Sequence, residues 1–136
     1  MSTPPRVSPE GRAMALFLFF TGIGHFLFPK ALDGIVPSFM PGSPRMWTYL
    51  SGIAELTIAG GLLVPSRFRC AGKPVSLLAA WSALILYIAV FPANINMAIL
   101  WADRAAPAPQ IAYGRLPLQL GLFYWAWTLI KKFQKT

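Results

Sequence analysis

Hydrophobic residues group into four long segments along the chain, at about residues 13–29, 46–65, 75–98 and 113–130. About 20 consecutive apolar residues form a helix long enough to cross a bilayer. The strict alternation that marks membrane β-strands is absent, so each segment is predicted to be a helix. The pattern therefore predicts an all-α fold: a four-transmembrane-helix bundle formed by a single transmembrane domain, residues 1–136.

The connection between the first two segments has a composition of its own. It runs from Lys30 to Arg45 and places Pro37, Pro41 and Pro44 among apolar residues. Proline interrupts a helix interior because it lacks the backbone N–H and clashes with the preceding turn. We therefore predict a short interfacial loop or helix between the first two spans.

The composition agrees with a membrane environment. Hydrophobic residues make up 56% of the 136 residues, charged residues only 12%, and the mean hydropathy is +0.56. Few charges and many apolar residues exclude a disordered chain. In a soluble protein, a net charge of +8 would suggest nucleic acid as a partner. Here the basic residues lie at the ends of apolar segments, where we expect them to contact lipid headgroups. The predicted partner is the lipid bilayer, and no nucleic acid is expected.

Basic residues also predict the orientation, because they are enriched in cytoplasmic loops. With four spans, eight basic residues share one side and four the other. The first set is Arg6, Arg12, Arg67, Arg69, Lys73, Lys131, Lys132 and Lys135, and the second is Lys30, Arg45, Arg104 and Arg115. We predict a multi-pass protein of the plasma (bacterial inner) membrane with both termini in the cytoplasm. The single cysteine, Cys70, would then face the reducing side and remain unpaired.

Glu55 is the most informative residue, because it lies in a segment, Met46 to Ser66, that otherwise contains no charge. A charged side chain at bilayer depth costs about 2.5–3.5 kcal/mol even on mild insertion scales, so it normally has a polar partner. The predicted helices each contribute a polar side chain to the same outer half of the bundle. We therefore predict a polar pocket there, formed by His25, Glu55, Tyr87, Asn94, Asn96 and Gln119.

Two interpretations of this pocket remain open. Glu55 is either a structural lock, hydrogen-bonded to His25 and the asparagines, or a group that holds a ligand or exchanges a proton. Asn94 and Asn96 equally fit a role in repairing the helix around Pro92. No metal site is predicted, one histidine cannot provide bis-histidine haem ligation, and one cysteine cannot form a disulfide. Gly52 and Gly61 are predicted to lie against other helices, because small residues permit close approach.

Several short motifs occur in order over about residues 15–100, and together they resemble the DoxX-like family of small four-helix integral membrane proteins. They are Gly22-Ile-Gly-His25-Phe-Leu-Phe-Pro29, Ile35-Val-Pro37 with Pro41, Ser51-Gly52 with Glu55, Gly61-Leu-Leu-Val-Pro65 with Arg67, and Phe91-Pro-Ala-Asn94-Ile-Asn-Met97-Ala98. The resemblance implies a membrane fold in which His25, Glu55 and Asn94 are motif positions. Some relatives are subunits of thiosulfate:quinone oxidoreductase, some belong to membrane redox complexes, and distant eukaryotic relatives assist receptor assembly.

Three functions follow as hypotheses. The first is a redox-associated subunit or accessory factor that binds a quinone or another small amphipath, without enzyme activity as an isolated chain. No cofactor is identified from the residues themselves, and quinone is the candidate ligand. The second is a non-enzymatic scaffold or assembly factor for another membrane protein, or a homo-oligomer. The third is a small transporter, which is disfavoured because four-helix exporters carry their membrane glutamate in the first helix.

Overall fold

The computed structural model describes residues 7–135 and consists of five helices and one small hairpin. Arg6, which contributed to the predicted charge asymmetry, lies outside the described residues. The elements in chain order are α1 (Pro9–Leu27), α2 (Pro29–Asp33), α3 (Pro44–Leu62), β1 (Arg69–Cys70), β2 (Lys73–Pro74), α4 (Val75–Trp101) and α5 (Ala108–Gln134). The helical class is as predicted, and a short helix, α2, lies in the predicted connection.

The prediction of a four-transmembrane-helix bundle is wrong. Among residues 7–135, only α4 is both long and apolar enough to cross a membrane, with a mean hydropathy of 2.1 over its most apolar window. The other helices are diluted by polar residues. The first helix begins at Pro9 and therefore includes Glu10 and Arg12, which the predicted segment had left out, while α5 contains Arg115 and Gln119 within the predicted segment itself.

The helix ends follow local chemistry. Ser8 and Ser43 cap α1 and α3 through their hydroxyls, each directly before a proline at the first helical position. Phe28 interrupts the helical path between α1 and α2, with φ −127° and ψ 51°. It precedes Pro29, and the residue before a proline is disfavoured in the helical region. The start of α4 has no side-chain cap.

The connection between α3 and α4 forms a two-stranded antiparallel hairpin in which Cys70 pairs with Lys73. Its two turn residues, Ala71 and Gly72, have φ of 52° and 78°. Positive φ at both central residues is the signature of a type I′ turn, which matches the twist of the flanking strands. The Arg69 guanidinium donates two hydrogen bonds to the Gly72 carbonyl and closes the turn.

The four long helices pack in sequence, with α1 on α3, α3 on α4 and α4 on α5. The main core contains small residues on α4, such as Ala80 and Ala83, and larger side chains such as Leu18, Leu62 and Leu129. Gly61 approaches α4 closely, since a Cβ there would lie 2.9 Å from the Cβ of Ala79. This confirms the predicted contact at Gly61.

The bundle has two ends of different chemistry. At the basic end, the start of α1 and the end of α5 are joined by an ion pair between Glu10 and Lys132, and the hairpin lies close by. At the opposite end, called the α2 end below, α2 packs against α3. Along the outside, large apolar side chains are exposed, among them Phe20, Ile85, Ile99 and Tyr124. An exterior of this kind fits contact with an apolar environment.

Candidate functional site

Apart from Ser76, the buried polar residues of the bundle gather in the half that adjoins the α2 end. They come from the last third of α1, the first two thirds of α3, the last half of α4 and the first half of α5. Glu55, Asn94 and Gln119 are buried, and Thr48 is buried with them. Each buried polar atom needs a partner to offset its lost hydration, so the pairing of these groups shows what the site can do.

His25 and Glu55 form the centre of the site. The Nδ1 atom of His25 lies 2.9 Å from the Thr48 carbonyl oxygen. A carbonyl oxygen only accepts, so Nδ1 carries a proton and donates it. Nε2 lies 3.5 Å from Oε2 of Glu55, which is an ion-pair distance rather than a hydrogen bond. With the Nδ1 proton donated to Thr48, Nε2 is the ring nitrogen that faces the Glu55 carboxyl group.

Two buried oxygen atoms in this region have no hydrogen-bond partner among residues 7–135: Oε2 of Glu55 and the hydroxyl of Tyr87. They belong to one electrostatic neighbourhood, because the charge of Glu55 acts on both Tyr87 and Arg115. Burial lowers the pKa of the Arg115 guanidinium, and the negative charge of Glu55 opposes that shift. The site thus combines an acidic group, a phenol, an imidazole and a guanidinium.

The predicted amide residues make a second, separate set of contacts. Asn94 donates a hydrogen bond of 2.9 Å to Oε1 of Gln119, and Gln119 donates one of 2.6 Å to the Tyr87 carbonyl oxygen. Asn94 had been expected to donate to Glu55, and the structure instead pairs it with Gln119. Asn96 donates to the Ile35 carbonyl oxygen and so holds the connection after α2. The predicted pocket therefore consists of two separate groups. One is the His25–Glu55 pair, and the other is the pair of amide side chains Asn94 and Gln119, called the amide clamp below.

The amide clamp contacts α4 on both sides of Pro92, the proline inside this helix. Proline lacks the N–H that would bond to the carbonyl four residues earlier, at Ile88. The neighbouring carbonyl, at Tyr87, receives the additional hydrogen bond from Gln119. A side chain of α5 thereby contributes polar contacts to this stretch of α4, which had been expected from Asn94 and Asn96.

A third group of polar residues, which the sequence interpretation missed, links α2 to the site. Asp33 accepts hydrogen bonds from Arg45 at 2.7 Å and from the Thr48 hydroxyl at 2.6 Å. Burial alone would raise the pKa of Asp33, but the hydrogen bonds from Thr48 and Arg45 outweigh it and lower the pKa. The hydrogen bonds to Asp33 and to the Tyr49 hydroxyl in turn raise the pKa of Arg45. Since the Thr48 carbonyl also accepts from His25, the network runs from α2 into the centre of the site.

Two sequence signals could have identified the missed residues. Asp33 and Arg45 have opposite charges near the two ends of a short, proline-rich connection, and such a connection keeps its ends close. Arg115 lies four residues before Gln119 and therefore on the same helix face. It had been interpreted as an interfacial anchor, and the structure places it partly buried beside Met97, 3.6 Å from the sulfur atom.

Close contact between α1 and α3 determines the spacing of the central pair. A Cβ atom on Gly52 would lie 2.8 Å from the His25 Cβ and 3.1 Å from the Gly22 carbonyl oxygen. A Cβ on Gly22 would lie 3.2 Å from the Glu55 Cβ. Glycines at both positions therefore allow the two backbones to approach within reach of the His25–Glu55 pair, and the predicted contact at Gly52 is confirmed.

An open apolar groove of about 440 Å³ lies between α3 and α4. Its walls include Ala54 and Ile58 on α3, and Ile85 and Leu86 on α4. The two hydroxyl side chains along it, Thr57 and Ser82, bond to carbonyls of their own helices. The groove therefore offers an apolar surface, and its residues Ala54 and Leu86 directly precede Glu55 and Tyr87 in the chain.

One protein-family model matches most of the chain. The chain belongs to the family described as a domain of unknown function, DUF8561, whose model matches residues 14–130. The match covers every residue of the site described above. No curated protein and no solved structure matches the chain. Within residues 7–135, no group of three or more histidine, cysteine, aspartate or glutamate side chains could hold a metal ion.

Proposed function

We propose that this protein is a membrane-associated helical subunit or accessory factor that binds the polar head of a small amphipathic molecule at Glu55, with a quinone as the leading candidate. The observation that carries the proposal is the pair of unpartnered buried atoms, Oε2 of Glu55 and the Tyr87 hydroxyl. An unsatisfied buried polar group costs about 1–3 kcal/mol. A ligand that supplied the missing hydrogen bonds would recover that cost on binding.

The chemistry of the group suits a head that both accepts and donates hydrogen bonds. The Tyr87 hydroxyl and the Arg115 guanidinium donate, while the Glu55 carboxylate accepts. A quinone carbonyl oxygen accepts from such donors, and the hydroxyl of the reduced quinol donates to a carboxylate. His25, with its Nδ1 proton held by Thr48, exchanges a proton at Nε2 beside Glu55. The same residues therefore accommodate both redox states of one head group.

The apolar tail of such a ligand would lie in the groove between α3 and α4. The groove is open and apolar, and two of its lining residues, Ala54 and Leu86, are the sequence neighbours of Glu55 and Tyr87. The exposed apolar face of α4, including Ile85 and Ile88, supports contact of this region with lipid, from which an amphipath would enter. The resemblance to DoxX-like proteins supports a quinone-linked setting.

This function is that of a partner in a redox complex rather than of a complete enzyme. The chain has a single cysteine, which is exposed on the hairpin, and a single histidine. It therefore provides no dithiol pair of its own, and electrons for a bound quinone would come from a partner protein. The scaffold hypothesis remains the second candidate, because Phe39 in the connection after α2 is 76% exposed and available to a partner.

The test is a titration of the purified full-length protein in mild detergent with a short-chain benzoquinone. Binding is measured by the quenching of tryptophan fluorescence. Tyr87→Phe removes the unpartnered hydroxyl and keeps the ring. We expect it to weaken binding about tenfold while the melting temperature stays equal or rises, because an unsatisfied buried group is removed. The matched control is Tyr124→Phe, whose side chain is largely exposed.

Equal affinity of wild type and Tyr87→Phe would contradict the proposed site. Mass spectrometry of small molecules extracted from the purified protein provides an independent test. A co-purified quinone or similar amphipath supports the proposal. A ligand-free complex with another membrane protein supports the scaffold function instead.

A further inference from the structure

A second polar cavity lies at the basic end of the bundle, remote in the fold from the Glu55 site. It has a volume of about 70 Å³ and is partly enclosed. One water in the liquid occupies about 30 Å³, so the cavity has room for a small polyatomic ion. Its walls combine apolar side chains with the polar residues Ser8, Ser66, Ser76 and Lys132.

All of these polar side chains can donate hydrogen bonds. Ser8 accepts a bond from the Gly11 N–H through its oxygen, which leaves its own hydroxyl proton free to donate. Ser76 is only 5% exposed, and within residues 7–135 its hydroxyl makes no hydrogen bond. Ser76 lines the cavity, so its hydroxyl is available to donate to a group there that accepts hydrogen bonds.

The start of α4 adds backbone donors. The Val75 N–H bonds to the Phe68 carbonyl oxygen, but no side chain caps the helix, unlike the starts of α1 and α3. The N–H groups of the first helical turn have no partner within the helix and carry a partial positive charge. Ser76 is the second residue of this helix, so its hydroxyl and the uncapped turn lie together.

The surrounding charge is also positive. The sequence places Arg12, Arg67, Arg69, Lys73, Lys131, Lys132 and Lys135 at this end, and Glu10 is the one acidic residue there. Glu10 binds the Lys132 ammonium group at 2.6 Å outside the cavity wall, and both side chains are about half exposed. An anion entering the cavity would therefore meet hydroxyl donors in a positive field, with the Lys132 ammonium group held by Glu10 close by.

We propose that this cavity is a binding site for a phosphate group, formed by Ser76, Ser66, Ser8 and Lys132 at the uncapped start of α4. Three acceptor oxygens and a negative charge match the donors and the field described above. The phosphate comes either from a phospholipid headgroup or from free phosphate. The site is independent of the proposed quinone site, since no residue belongs to both.

The experiment is calorimetric titration of the full-length protein in nonionic detergent at low salt, with inorganic phosphate and with short-chain phosphatidic acid as probes. Ser76→Ala removes the unpartnered hydroxyl and is expected to weaken binding about tenfold. Its control is Ser82→Ala on the same helix, whose hydroxyl bonds to the Leu78 carbonyl. Lys132→Gln is expected to weaken binding more than Lys131→Gln, since Lys131 lies outside the cavity wall.

The two probes distinguish the source of the phosphate. Binding of phosphatidic acid at least about tenfold tighter than that of inorganic phosphate identifies a lipid headgroup, and similar affinities identify free phosphate. Glu10→Gln should strengthen binding of either probe, because it frees the Lys132 ammonium group. If Ser76→Ala does not fold, Ser66→Ala replaces it with the same expected loss.

Two results would overturn the phosphate site. One is the absence of saturable binding of both probes. The other is an equal loss of affinity in each variant and its matched control, which would indicate diffuse attraction by the basic surface.

Discussion

Replacing Gly52 by alanine tests how closely α1 and α3 must approach each other. The added Cβ would lie 2.8 Å from both the His25 Cβ and the Phe26 Cε2 atom, and 3.1 Å from the Gly22 carbonyl oxygen. Carbon atoms in contact prefer separations of about 3.5–4.0 Å. The helices must therefore move apart by roughly 0.7–1 Å, because one of the close atoms belongs to the backbone and the His25 Cβ is rigidly attached to it.

Gly60→Ala on the same helix is the matched control, because a Cβ there would have no atom within 4 Å. Both substitutions gain about 0.8–1.0 kcal/mol of helix propensity, so that term cancels in the comparison. Overpacking costs about 1–3 kcal/mol, and it applies to Gly52→Ala alone. Gly60→Ala is expected to stabilise the protein, and Gly52→Ala is expected to be less stable than Gly60→Ala by that overpacking cost.

Thermal unfolding followed by circular dichroism in mild detergent measures the difference. For a domain of this size, 1 kcal/mol corresponds to about 3–5 °C in Tm, so the two variants should differ by roughly 3–15 °C. Quinone affinity should also fall in Gly52→Ala, because the His25–Glu55 distance changes. If Gly52→Ala melts at or above Gly60→Ala, the close approach of α1 and α3 is refuted.

Three further predictions concern single residues. Glu55→Gln should keep the melting temperature and lose proton-coupled ligand binding. Glu55→Ala should lose binding and also destabilise the folded protein by about 1–3 kcal/mol. Wild-type binding by the Gln variant would show that Glu55 acts only as a structural lock. The pKa of Asp33 is lowered in the folded protein, so its stabilising contribution is fully present above its ordinary value of 3.8 and is lost as the pH falls through the folded value. The protection of the α2 backbone amides against hydrogen exchange, taken relative to their intrinsic rate at each pH, should fall in that acidic range. Asp33→Asn should abolish this pH dependence. Exposed Cys70 should resist a membrane-impermeant thiol reagent in intact cells if the basic end faces the cytoplasm, and rapid labelling would reverse that orientation.

The sequence was sufficient to locate the polar residues and the close helix contacts. A glutamate in an apolar segment must find partners, and His25 is indeed next to Glu55 in the structure. Glycines at Gly52 and Gly61 both mark contacts with a neighbouring helix. These inferences held because they depend on strong local penalties, the burial of charge and the loss of close packing, that few arrangements can avoid.

Other features depended on tertiary geometry that one sequence does not specify. Asn94 and Glu55 lie in the same half of the bundle, but this does not say which neighbour Asn94 faces, and it pairs with Gln119. The four-span prediction failed in part because helix boundaries extend beyond the apolar segments into charged residues such as Glu10 and Arg45. The link between α2 and the site was missed because it passes through Thr48, an ordinary residue in sequence terms.

Thr48 also has a consequence for how the protein tolerates mutation. Its hydroxyl holds Asp33, but its contact with His25 is made by the backbone carbonyl. A side chain at position 48 that fits the buried space and preserves the helix therefore keeps the carbonyl that fixes the imidazole tautomer. Such a substitution changes how firmly the connecting segment is attached, so the attachment of α2 can vary without altering which imidazole nitrogen carries the proton.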